Sequence, residues 1–103
     1  PGNTTYPVRD TEFDGQSIHE GNILGLAEGT IACCGEDLKD TTVTLIEKLL
    51  TQKNDLITLY YGSDTTQEDA EEIAAIINEK YPSTDVEVIS GGQPVYYYII
   101  SAE

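Results

Sequence analysis

The stretch that decides the fold runs from Leu56 to Ile89, LITLYYGSDTTQEDAEEIAAIINEKYPSTDVEVI. Its first six residues, Leu56-Ile57-Thr58-Leu59-Tyr60-Tyr61, form a near-continuous apolar run of β-branched and aromatic side chains. The run is too short for a buried helix and fits a strand covered on both faces. Gly62-Ser63-Asp64 is the exit loop. Thr66 and Asp69 are spaced as a capping box, and Ala70, Ile73, Ala74, Ile77 and Tyr81 follow one helical face. Pro82 ends that helix. Val86-Glu87-Val88-Ile89 is the next strand. A strand, a helix and a strand in this order predict two parallel strands joined by a right-handed crossover.

Toward the N-terminus, Asp37 reads as a helix N-cap. Leu38, Val43, Leu45, Ile46, Leu49 and Leu50 make an apolar stripe behind it. Lys48 and Lys53 suit the negative end of that helix. Before it, Ile23–Leu26 and Thr30–Cys34 flank Glu28-Gly29, a hairpin signal. Arg9–Gly15 carries a short strand ending in an Asp-Gly turn. Residues 1–8 read as a linker remnant, and 9–103 as a single domain. Asn3-Thr4-Thr5 matches a glycosylation pattern, taken as noise without secretion signals. Toward the C-terminus, Gly91-Gly92-Gln93-Pro94 is a turn and Val95–Ile100 the last strand, predicted to pair antiparallel with the strand before it. The expected fold class is α/β, with α+β as the alternative. It is a two-helix, mixed-sheet domain of order β-β-α-β-α-β-β, with a parallel βαβ unit and a C-terminal antiparallel hairpin.

Composition narrows the function classes. The 103 residues hold 19 acidic and 5 basic side chains, a formal net charge of −14. Nucleic acid and anionic membrane surfaces select basic faces, so neither is an expected partner. With 39% hydrophobic residues the chain can build one real core. There is no Met, and the opening Pro1-Gly2-Asn3-Thr4 is no signal peptide. The expectation is a piece excised from a longer protein, carrying that protein's natural C-terminus, without membrane insertion. Cys33 and Cys34 are adjacent, and neighbouring side chains diverge along a strand. Free thiols and a cytoplasmic, reducing setting are expected.

No catalytic, cofactor-binding or metal-binding residue is assigned. His19 with Cys33 and Cys34 matches no zinc spacing. Gly62-Ser63-Asp64-Thr65-Thr66 stands where α/β proteins bind anions, but Asp64, Glu68, Asp69, Glu71 and Glu72 crowd the same place. These acids are read as complementing the helix dipole. The tyrosines are more informative. Tyr60, Tyr61, Tyr96, Tyr97 and Tyr98 lie in two strand regions, and both faces of the last strand are apolar. Either helices cover both faces, or one meets another protein.

Several runs together resemble the C-terminal region of the bacterial fatty acid kinase catalytic subunit. They are the Asp55–Glu72 segment and the closing Val86-Glu-Val-Ile-Ser-Gly-Gly-Gln-Pro-Val-Tyr-Tyr-Tyr-Ile-Ile-Ser. Arg9-Asp10-Thr11-Glu12, Gly15, Glu20-Gly21-Asn22 and Gly35-Glu36-Asp37-Leu38 fit the same pattern, so the resemblance covers about residues 8–103. Cys33-Cys34 departs from it, standing where small or β-branched residues are expected. The resemblance implies a three-part kinase with an N-terminal dihydroxyacetone-kinase-like (DhaL-type, DAK2) domain that holds ATP and Mg²⁺. That kinase phosphorylates a fatty acid carried by a separate DegV-like protein, for phospholipid synthesis. The C-terminal domain is linked to recognition of the carrier, and no cofactor belongs to this fragment. The expected role is therefore a non-catalytic docking domain, using Asp64, Glu68, Asp69, Gln93, Tyr96 and Tyr98. The alternatives are a domain lending residues to phosphoryl transfer, or a stand-alone acyl-chain binder.

Overall fold

In the computed structural model, residues 2–6, 11–13, 15–19, 21–50, 56–94 and 96–103 are described. The strands are β1 (Gly2–Thr5), β2 (Thr11–Phe13), β3 (Gln16–Ile18), β4 (Ile23–Ala27), β5 (Thr30–Gly35), β6 (Leu56–Tyr61), β7 (Asp85–Ser90) and β8 (Tyr98–Ala102). The helices are α1 (Leu38–Leu49) and α2 (Gln67–Lys80). Arg9, Asp10, Asp14, Glu20, Lys53, Asp55 and Val95, used in the sequence reading, lie outside the described residues. The architecture is mixed α/β, a six-stranded sheet of order β5-β4-β1-β8-β6-β7 beside a small β2-β3 ribbon.

The central unit folds as its pattern dictates. β6 and β7 run parallel, with Leu59 opposite Val88, and α2 makes the crossover. Thr66 caps α2 by accepting from the Asp69 N–H at 3.2 Å. Asp37 caps α1 by accepting from the Asp40 N–H at 2.8 Å. Each cap satisfies one of the donors that a helix start leaves free. β4 and β5 form the expected hairpin, turned by Glu28 at φ 52 and Gly29 at φ 83. Two successive positive φ values make the turn that suits strand twist.

Two expectations are corrected. Within the stretch read as a linker remnant, Gly2–Thr5 form β1, which lies in the sheet between β4 and β8. Thr4 there is fully buried, its hydroxyl 3.5 Å from that of Thr42. The last two strands also form no hairpin. β8 is antiparallel, but its partners are β6 and β1. The cause lies in the segment after β7, which hooks over the end of β6. The Gly91 and Gly92 N–H groups both donate to the Tyr61 carbonyl, at 3.0 and 3.2 Å. The Gln93 amide donates to the Tyr60 carbonyl at 3.1 Å. The chain thus crosses to the far edge of β6 before extending, and β8 starts at Tyr98 rather than Val95.

Both helices lie on one face of the sheet. α1 and α2 run side by side, tied by a Lys39–Glu72 ion pair near their starts and by Tyr81 donating to Glu47 at 2.8 Å near their ends. Leu45, Ile46, Ile73 and Ile77 pack from this layer onto Ile57, Leu59, Tyr98 and Ile100. All eight are 0–1% exposed. Removing such side chains from water contributes roughly 1.5–3 kcal/mol each. The opposite face is only partly covered. A row one residue wide crosses all six strands there: Ile31, Leu26, Asn3, Ile99, Tyr60 and Ile89. Ile89, at its edge, is 41% exposed. Cys33 and Cys34 are free and diverge to the two faces as expected, with Cys33 buried against α1.

Candidate functional site

The parallel relation of β6 and β7 sets where loops and helix starts collect. α1 follows β5 and α2 follows β6. The antiparallel chain of pairings from β5 through β4, β1 and β8 leaves β5 and β6 pointing the same way. Both helices therefore begin at the same end of the sheet, beyond the carboxyl ends of parallel strands. That is the end where open α/β sheets place ligands.

Here the loop after β6 meets the segment before β8. The Gly62 N–H donates to the Tyr97 carbonyl at 2.9 Å, and the Ser63 N–H to the Gln93 carbonyl at 2.9 Å. Thr65 donates its hydroxyl to the Tyr97 carbonyl at 3.2 Å, and its N–H goes to Gly62. The fit is close: a Cβ on Gly62 would lie 2.7 Å from the Gln93 carbonyl oxygen and nearer still to that of Tyr96. Three of the loop's N–H groups are thus already spent. A phosphate cradle needs free ones, and these three are not free. Among the described residues there is also no group of three or more His, Cys, Asp or Glu side chains able to hold a metal ion.

All six residues singled out from the sequence reach this end. Asp64, Glu68 and Asp69 are exposed around the start of α2. Tyr96 is 39% exposed, its carbonyl close against Gly62. Gln93 is half-buried and holds the hook over β6. Tyr98 is 1% exposed, on the helix-covered face. Burial, with the Asp69 and Glu72 carboxylates nearby, pushes its phenol up to about 12. Tyr96 was expected inside the last strand; instead it precedes β8, its N–H donating to the Pro94 carbonyl at 2.8 Å.

The sequence reading did not foresee that α1 contributes. Asp37, Leu38 and Lys39 from its start join Asp69, Ile73 and Tyr98 around a recess of about 190 Å³. The N-cap aspartate was visible in the sequence, but its position next to Asp69 depends on β5 and β6 being parallel across three intervening strands.

Comparison with known proteins settles the family. The family profile for the C-terminal domain of FakA-like fatty acid kinase proteins matches residues 1–103. The chain belongs to the FakA-like C-terminal family. It is 38% identical over 102 residues to protein YloV of Bacillus subtilis strain 168, covering 99% of this chain and 18% of YloV. An uncharacterized protein of Staphylococcus aureus USA300 is 36% identical over the same length, which is 19% of that protein. The uncharacterized protein SH1689 of Staphylococcus haemolyticus is 32% identical, again over 18% of its length. The chain thus spans less than a fifth of these relatives. No helix among the described residues is long and apolar enough to cross a membrane.

Proposed function

We propose that this chain is a non-catalytic interaction domain of a fatty acid kinase. In this reading it docks a DegV-like fatty-acid carrier in the cytoplasm. A DhaL-type kinase domain, outside this chain, phosphorylates the carried fatty acid with ATP and Mg²⁺. The observation that carries the reading is the gathering of Asp37, Asp64, Glu68 and Asp69 with the exposed ring of Tyr96 at one end of the sheet. An acidic surface around an amphipathic aromatic ring fits a basic protein partner. The family assignment supplies the kinase context.

The test is a calorimetric titration of the carrier into the chain, wild type against Asp64→Lys/Asp69→Lys. The variant is expected to bind about tenfold more weakly at low salt, with a smaller difference at moderate salt. Unchanged affinity at both salt concentrations removes the electrostatic basis. Wild-type protein that never binds the carrier overturns the docking role.

A further inference from the structure

We propose that the helix-free face of the sheet docks another domain of the longer polypeptide in which this domain occurs, through an apolar patch that brings one hydrogen-bond donor to Asn3. Both helices lie on the other face, and the row Ile31, Leu26, Asn3, Ile99, Tyr60 and Ile89 crosses all six strands here. Its five apolar members stand outside the core packed under the helices. None of the five is buried, and Ile89 is 41% exposed. One polar residue interrupts the row near its middle. Asn3 sits between Leu26 and Ile99, and among the described residues its side-chain oxygen Oδ1 is shielded from solvent without a hydrogen-bond partner. An amide oxygen left in that state is costly, and native proteins normally satisfy it. The amide turns readily about its last side-chain bond, so a donor arriving with a covering layer can be met.

Size, charge and length together select the occupant. Six strands about 4.8 Å apart, with about five residues each, give a face of roughly 400 Å². Two such faces bury about 800 Å², which is within the range for domains of one chain and below the roughly 1,200 Å² where stable complexes of separate proteins begin. A second copy would also bring its own net charge of −14 against this one. The match takes 18% of YloV and 19% of the Staphylococcus aureus protein, so more than four-fifths of each lies outside it. A domain held on the same polypeptide is present at high effective concentration, so a modest apolar face is enough to keep it in place. The patch that fits is apolar, with a single hydroxyl or amide donor facing Asn3.

The test uses the full-length polypeptide that carries this domain. The carrier is left out, so the outcome is independent of the docking reading above. Tyr60 or Ile89, on the open row, is replaced by a benzophenone amino acid; Glu68, exposed at the start of α2, is replaced as the control. After irradiation, peptide mass spectrometry should find crosslinks from the Tyr60 and Ile89 positions to residues of the same molecule outside this domain, at several-fold higher yield than from Glu68. Mixing nitrogen-15-labelled with unlabelled protein separates links within one molecule from links between two. If the Tyr60 replacement fails to fold, Ile89, an exposed edge position, decides alone. Asn3→Leu removes the unpaired oxygen at similar volume and leaves the incoming donor without an acceptor. It should lower the yield from Ile89 about fivefold, while buried Cys33 stays slow to alkylate and so reports an intact domain. Links mainly between two molecules, or yields at Tyr60 and Ile89 no higher than at Glu68, overturn the docking surface. A yield that Asn3→Leu leaves unchanged overturns the part given to Asn3.

Discussion

Replacing Gly62 by Ala should loosen the whole sheet from a single methyl group. The added Cβ would lie 2.7 Å from the Gln93 carbonyl oxygen and closer to that of Tyr96, whereas ordinary contact begins at 3.4 Å. The Gln93 carbonyl must then retreat by about 0.7 Å, and Tyr96 by more, in a segment whose backbone is fixed on both sides. The Ser63–Gln93 and Gly62–Tyr97 hydrogen bonds, both 2.9 Å, stretch to or beyond the useful limit. Losing two such bonds costs about 2 kcal/mol, and strain in the close-packed hook adds about 1 more. A total near 3 kcal/mol lowers the melting temperature of a domain this size by roughly 12–24 °C. The control is Gly29→Ala, where the turn has φ +83 and open space around the Cβ. Backbone strain alone should cost about 1 kcal/mol there. Urea unfolding followed by far-ultraviolet circular dichroism measures both. A Gly62→Ala loss no larger than that of Gly29→Ala would refute the claim that the hook is clasped this tightly.

Three further outcomes follow from named groups. Thr66→Ala removes the acceptor for the Asp69 N–H and should cost about 1 kcal/mol in the same urea assay, with an unchanged slope. The phenol of Tyr98 is pushed up to about 12, against about 10 for an unfolded chain, so above pH 10 the unfolded state gives up a proton that the folded state keeps. Stability contributed by the neutral phenol is therefore lost as pH rises from 10 toward 12, and Tyr98→Phe should flatten that loss; tyrosinate absorbance should show Tyr98 titrating late among the seven tyrosines. Burial raises the Cys33 thiol, partly offset by Lys48, while Cys34 is only half-buried. Alkylation read by peptide mass spectrometry should therefore label Cys34 well before Cys33, and equal rates would contradict the packing of Cys33 against α1.

Much of the candidate site was readable in advance because it is built from local signals. Asp37 and Thr66 announce helix starts by chemistry that depends only on the next three residues. The acids around Thr66 follow directly in sequence, so their clustering needed no fold. Tyr98 was readable as a strand tyrosine, but its neighbours Asp37 and Lys39 were not, because about 60 residues separate them along the chain.

Local pattern was enough for the elements: the parallel β6-α2-β7 unit, the β4-β5 hairpin and both helices. Periodicity and turn residues act over one or two turns of chain, and that range suffices. Which strands became neighbours was a matter of packing in three dimensions. β1, polar and glycine-bearing, carries no apolar run, yet it fills the sheet's centre because Gly2 and Thr4 are small enough to lie under α1. β8 sits between β1 and β6 because the hook before it satisfies its hydrogen bonds over the end of β6. Pairing between distant strands is chosen by how all faces and backbone groups are satisfied at once, and no short window of sequence carries that information.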